Sequence, residues 1–73
     1  MRTVIYELPE DGKIRQAAVY TIEPKKALVA YIRQSIFKDF HTWEYPETIK
    51  GMRQTNGRWY YDHGKTVIGA LPA

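Results

Sequence analysis

The side chains best suited to metal binding or acid–base chemistry are few in this sequence. Its two histidines, His41 and His63, each have an acid nearby, Asp39 and Asp62 respectively, and cysteine is absent. A zinc site needs three or four ligands gathered around the ion, so this supply is too small. We therefore interpret both histidines as solvated loop residues and predict no metal site and no cofactor.

Nucleophilic catalysis is not indicated by the pattern either. The hydroxyls nearest a histidine belong to Thr42 and Thr66, and neither follows the strand–turn–helix pattern that presents a catalytic nucleophile. The 5 glycines are isolated from one another, so no phosphate-binding loop is present. A chain of 73 residues also rarely encloses a pocket for a small substrate. We expect a non-enzymatic protein with no catalytic residues and no small-molecule substrate.

A basic and aromatic group near the C-terminus could bind nucleic acid. Arg53, Arg58 and Tyr60 are expected on one outward surface of a sheet, with Lys65 at the adjoining turn. Single-stranded nucleic acids bind such surfaces, because aromatic rings stack on bases and guanidinium groups contact phosphates. The same alternation is ordinary on a solvent-facing strand, where Arg53 and Tyr60 would pack on each other. Nucleic-acid binding is therefore our second hypothesis.

A cluster of aromatic residues in the central connection favours protein binding. Phe40, Trp43 and Tyr45 lie in a stretch with neither helical nor strand periodicity. Trp and Tyr are common anchors of protein interfaces, so these residues form a candidate protein-binding patch. The alternative is that Phe40 and Trp43 fold back over the open end of a thin core. Binding to another protein is our first hypothesis, and a homodimer that pairs free edges at residues 66–70 is one form of it.

Two strand-like segments, residues 2–8 and 13–22, flank a turn and predict an N-terminal hairpin. A three-residue loop with Gly12 in the left-handed region pairs Glu7 with Arg15 and Val4 with Ala18. This register gathers the apolar residues on one face. That predicted core face is made of Val4, Tyr6, Leu8, Ile14, Ala18, Tyr20 and Ile22, and is interrupted by Gln16.

The next segment is predicted to form an amphipathic helix of about three turns, because Leu28, Tyr31, Ile32 and Ile36 recur at helical spacing. Pro24 suits the first helical position, where its missing N–H costs nothing. A single helical turn is expected at residues 46–50, after the aromatic connection.

The C-terminal part predicts a three-stranded meander. Asn56-Gly57 is a strong signal for a two-residue hairpin, and it pairs Trp59 with Gln54. A second turn is expected at residues 62–65, with Trp59 opposite Ile68. The alternation of strand residues then places Trp59 in the central core and leaves Tyr60 exposed. The whole predicted inner face consists of Met52, Trp59, Tyr61, Ile68 and Ala70.

The predicted fold is one α+β domain over residues 1–73, with the order ββαβββ and the helix packed on the sheet. Disorder is expected only at residues 71–73. Whether the two groups of strands share a sheet is not readable from the sequence, although one curved sheet is the economical arrangement. The chain has a net charge of +3 and no apolar stretch of membrane-spanning length, and its N-terminus lacks a signal-peptide pattern. We expect a cytoplasmic protein.

In size and composition the chain resembles the small accessory proteins of phages and mobile elements. It shares with them a short, cysteine-free, aromatic-rich α+β sequence with tight hairpins. Some of those proteins inhibit host nucleases by binding them. The resemblance implies a binding or inhibitory role and assigns no function to any single residue.

Overall fold

The computed structural model describes residues 1–35 and 50–73. The candidate patch Phe40, Trp43 and Tyr45 and the helical turn expected at residues 46–50 lie outside this range, apart from Lys50. The described part confirms the α+β fold and its ββαβββ order. Its elements are β1 (Thr3–Pro9), β2 (Arg15–Tyr20), α1 (Pro24–Ser35), β3 (Met52–Thr55), β4 (Arg58–His63) and β5 (Thr66–Pro72).

The strands of the described residues form a single antiparallel sheet in the order β2-β1-β5-β4-β3. The two predicted groups are joined by β1 and β5, which pair along their whole length from Thr3–Pro72 to Pro9–Thr66. The expectation of a free edge at residues 66–70 was wrong, because β5 lies in the middle of the sheet. Residues 71–72 also belong to β5, and the Ala73 N–H donates to the Arg2 carbonyl at 2.9 Å.

The N-terminal hairpin has the predicted turn but a different register beyond it. Gly12 has a φ of 83° and its N–H donates to the Pro9 carbonyl at 3.0 Å, and Glu7 pairs with Arg15 as expected. Between Ile5 and Tyr6 the register shifts at a β-bulge, so Ala18 faces Ile5 and not the predicted Val4. A bulge inserts one unpaired residue, and every pair beyond it is displaced.

The core lies between the sheet and α1. The residues of β1 that face it alternate with those predicted to do so. Ile5 is fully buried there, whereas Val4, Tyr6 and Leu8 lie on the other face of the sheet. The prediction that these three residues line the core was wrong, because β1 is an inner strand that carries apolar residues on both faces. The buried core cluster consists of Ile5, Ala27, Leu28, Ile32, Ile68 and Ala70.

Helix α1 begins at Pro24, and the Ala27 N–H donates to the Glu23 carbonyl at 2.9 Å in its first turn. The chain entering the helix is attached to β1 through Thr3, which is fully buried. The Thr3 hydroxyl donates to the Ile22 carbonyl at 2.7 Å. This bond satisfies a buried polar side chain and fixes the position of the helix entry.

The C-terminal meander confirms the predicted Asn56-Gly57 turn, with φ values of 50° and 78° and with Trp59 opposite Gln54. The following turn is shorter than predicted, because His63 pairs with Thr66. Trp59 therefore faces Ala70, and the predicted pairing with Ile68 was wrong by two residues. A shift of two residues preserves the faces, so Met52, Trp59 and Tyr61 do pack against the core.

The exposed fractions of Trp59 and Tyr60 differ less than the alternation of strand residues predicted. Both are partly buried, Trp59 on the helix side and Tyr60 on the other side. Trp59 therefore covers the margin of the core and is not a central core residue. The Lys25 ammonium lies 5.4 Å from the centroid of the Trp59 ring, which is a cation–π distance.

Candidate functional site

We call the sheet surface opposite α1 the open face, since the only helix among the described residues packs on the other side. Directly paired residues of antiparallel strands point to the same face, so the strand register defines the rows of side chains on this surface. The central row crosses all five strands. It consists of Gln16, Tyr6, Gly69, Tyr60 and Arg53, in sheet order from β2 to β3.

A largely apolar row flanks the central row on each side. One contains Val19, Val4 and Leu71, which are paired across β2, β1 and β5. The other contains Leu8, Val67 and Asp62, which are paired across β1, β5 and β4. Arg58 precedes Trp59, the partner of Ala70, and this places it level with Leu71 at the end of the first row.

Gly69 has no side chain, and the neighbouring side chains fill the space above it at the centre of the open face. A Cβ atom at this position would lie 3.2 Å from Tyr60 Cε1 and 3.0 Å from Leu71 Cδ1, so both side chains occupy the space above the glycine. The Tyr60 ring therefore leans over the middle strand. The side chains of Tyr60 and Leu71 therefore cover the backbone of Gly69, which is buried.

The charges of the open face are mostly paired within the chain. The Arg53 guanidinium contacts an Asp62 carboxylate oxygen at 2.7 Å and lies 5.7 Å from the centroid of the Tyr60 ring. Lys65, at the β4–β5 turn, lies 3.9 Å from Glu10. Among the described residues, Arg58 has no ion pair. The surface is therefore apolar and aromatic with mixed charges at its margin.

The structure brings together three of the four residues proposed for nucleic-acid binding. Arg53, Arg58 and Tyr60 share the open face, as the meander register predicted, whereas Lys65 lies at its end. Sequence reasoning missed the larger apolar part of this surface, because it assigned the alternate residues of β1 to the core. A usable signal was present in β5, whose residues are apolar on both faces.

A polar cluster lies on the helix side of the sheet, near the end of the first hairpin. The Glu7 carboxylate accepts one hydrogen bond from Arg15 and another from the Tyr31 hydroxyl at 2.9 Å. The Arg15 bond, and then the Tyr31 bond, hold the pKa of Glu7 below its usual value. Burial, followed by the bond to Glu7, raises the pKa of Tyr31.

These shifts make the cluster a poor acid–base centre. Glu7 stays ionised with its oxygens engaged, and Tyr31 stays protonated, so neither titrates near neutral pH. A shallow cleft of about 450 Å³ beside the cluster is lined by Glu7, Arg15, Thr66 and residues of the hairpin turn. The cluster instead attaches the helix to the hairpin.

Other kinds of site find no support in the part of the chain that the structure describes. Residues 1–35 and 50–73 contain no group of three or more His, Cys, Asp or Glu side chains arranged to hold a metal ion. None of the helical segments in those two ranges combines the length and apolar character needed to cross a membrane.

Comparison with known proteins yields no relative. No protein-family model matches the chain, and no match is found among curated proteins or solved structures.

Proposed function

We propose that this protein is a small non-enzymatic binding module that recognises another protein through the open face of its sheet. The observation that carries the proposal is the composition of that face. Its central strands carry Val4, Leu8, Val67 and Leu71 around two tyrosines of the central row. Val4 is buried, the other three are partly exposed, and no described helix covers them. Apolar surfaces rimmed by polar groups are typical of protein interaction sites.

The charge pattern favours a protein over a nucleic acid as the ligand. Single-stranded nucleic acid is held by a groove of unpaired cations that follows the phosphates. On the open face Arg53 is engaged by Asp62 and Lys65 lies beside Glu10, which leaves Arg58 as the cation without an ion pair among the described residues. A protein partner with an apolar surface and an acidic group near Arg58 fits this pattern better.

Nucleic-acid binding remains the second candidate because Tyr6 and Tyr60 share the central row and Arg53 already lies over the Tyr60 ring. Such a row could stack bases if Asp62 released Arg53. This alternative expects an affinity that falls steeply with salt, because bound phosphates release counterions.

The resemblance to phage and mobile-element accessory proteins supports a binding or inhibitory role rather than catalysis. Under this proposal the protein works in the cytoplasm, where such accessory proteins would meet host proteins. The Glu7–Tyr31 cluster agrees with a non-enzymatic role, because both groups are held in protonation states unsuited to proton transfer near neutral pH.

Site-specific photo-crosslinking in living cells tests the proposal. A benzophenone amino acid replaces Val19, which is 42% exposed on the open face, and in a matched control it replaces the exposed Lys26 on α1. We expect protein adducts from position 19 that position 26 does not give. Nucleic-acid adducts from position 19 would establish the alternative. Identical adducts from both positions would contradict a dedicated binding face.

A further inference from the structure

We propose that the partner on the open face is a second copy of this chain, packed face to face about a two-fold axis. The inference rests on the proposed function, because it takes the open face as the binding surface. It goes further by naming the occupant and the orientation.

In the self-complementary arrangement the two-fold axis runs along the central row. Rotation about that axis exchanges the two flanking rows between the copies. Leu71 of one copy then faces Val67 of the second. Leu8 faces the position of Val4, of which only 7% is exposed within its own copy. Each of these apolar contacts occurs twice in the dimer, as the symmetry requires.

The same rotation brings Arg58 of each copy to Asp62 of the other. Arg53 lies on the axis and meets Arg53 of the second copy, while each stays bound to Asp62 of its own copy. Arg58 and Asp62 lie on β4 at equal distances of two residues on either side of Tyr60. Arg58 of one copy therefore faces Asp62 of the second copy, and the reverse contact forms at the symmetry-related position. Arg58 gains the partner that the described residues of its own chain do not provide, and Asp62 then bridges Arg53 and the incoming Arg58.

The other two-fold axis in the interface plane, parallel to β5, gives a poor match. It would place Arg58 against Val4 and Asp62 against Leu8 of the second copy. Burying a charge against an aliphatic side chain is unfavourable without a compensating partner. Arg58 and Asp62 therefore favour the first orientation.

The size of the face sets the expected strength of the dimer. Five strands about 4.8 Å apart and a β5 length of about 23 Å give a projected face of roughly 450 Å² per copy. Two aligned sheets pack about 10 Å apart at about 30°, so the contact centres on β1, β5 and β4. The total of roughly 900 Å² is slightly below the area of most specific interfaces, so we expect a weak dimer that forms only at high protein concentration.

Charge exchange tested by sedimentation velocity decides between this dimer and other states. In Arg58→Glu the new carboxylate faces Asp62 of the second copy twice, so we expect dimerisation to weaken at least about tenfold. Asp62→Arg alone weakens it in the same way. An equimolar mixture of the two variants restores a dimer, because the carboxylate introduced at position 58 then faces the guanidinium introduced at position 62, and the unchanged Asp62 and Arg58 face each other. Lys26→Glu on α1 is the matched control and leaves association unchanged.

Folding controls keep the test decisive. Asp62→Arg also removes the Arg53 ion pair, so its circular dichroism is compared with that of the wild type. If that variant is unfolded, Asp62→Asn removes the negative charge that faces Arg58 without adding a cation. Asp62→Asn alone then weakens the dimer, and its addition to Arg58→Glu recovers part of the affinity.

Two results would overturn the inference, namely a wild type that stays monomeric up to about 1 mM and a dimer indifferent to both charge reversals. A monomer whose position 19 still crosslinks to a different protein would remove the second copy but leave the proposed function intact. Nucleic-acid adducts at that position would remove both.

Discussion

The bond between Glu7 and Tyr31 should make a measurable contribution to folding stability. It joins β1 to α1 across 24 residues of chain, at 2.9 Å, and the Glu7 side chain is 24% exposed. A hydrogen bond to a charged group is worth about 1.5–3 kcal/mol, and partial solvation of the carboxylate reduces this. We therefore expect a coupling energy of about 1 kcal/mol between the two side chains.

A double-mutant cycle isolates that energy. Tyr31→Phe removes only the hydroxyl, and Glu7→Gln keeps the shape while removing the charge. Urea unfolding followed by tryptophan fluorescence gives the free energy of unfolding of the wild type, both single variants and the double variant. The coupling energy is the difference that the single variants do not explain together. A value below about 0.3 kcal/mol at neutral pH would refute the role of this bond.

The pH dependence of the same cycle follows from the lowered pKa of Glu7. A carboxyl whose pKa falls on folding stabilises the native state above its unfolded value, here 4.5, and this contribution disappears as pH falls through the lower folded pKa. The stability difference between the wild type and Glu7→Gln should therefore be constant from pH 6 to 8 and shrink below pH 4.5. A difference that persists unchanged at pH 2 would contradict the assignment.

Four further substitutions test the fold by urea unfolding. Thr3→Val should cost about 1 kcal/mol, because the bond to the Ile22 carbonyl is lost at nearly constant volume; no loss would mean that solvent replaces it. Trp59→Ala should cost about 2–4 kcal/mol and Tyr60→Ala clearly less, since only Trp59 packs against the core; the reverse order would contradict the faces of β4. Gly57→Ala should cost about 1–2 kcal/mol because φ is 78° and no atom lies near the added methyl, and a neutral effect would rule out this turn conformation.

Local turn chemistry made the C-terminal meander predictable from sequence. Asn56-Gly57 admits positive φ at both positions, so it sets the β3–β4 register and with it the face of Trp59. The next turn was misjudged because several short turns suit the same polar residues. The resulting error of two residues preserved which side chains face the helix, so the grouping of Arg53 and Tyr60 survived.

The orientation of β1 could not be read in the same way. Polarity decides the face of a strand only when one side is polar, and Val4 and Ile5 are both buried although they lie on opposite faces. The bulge in the first hairpin has no distinct residue signal, and the β1–β5 pairing joins segments at opposite ends of the chain. These three features determine the open face, which is why the candidate surface was only partly predictable.

Methyl NMR on dilution tests the central claim most directly, because it reports on the two faces of the sheet separately. We predict that the methyl signals of Val4, Leu8, Val67 and Leu71 shift together with protein concentration and fit one dissociation constant. The signals of Ile5, Leu28, Ile32 and Ile68, beneath the helix, should stay nearly constant and serve as the internal control. Shifts confined to α1, or open-face signals that do not change over a concentration range in which the protein dimerises, would contradict the account.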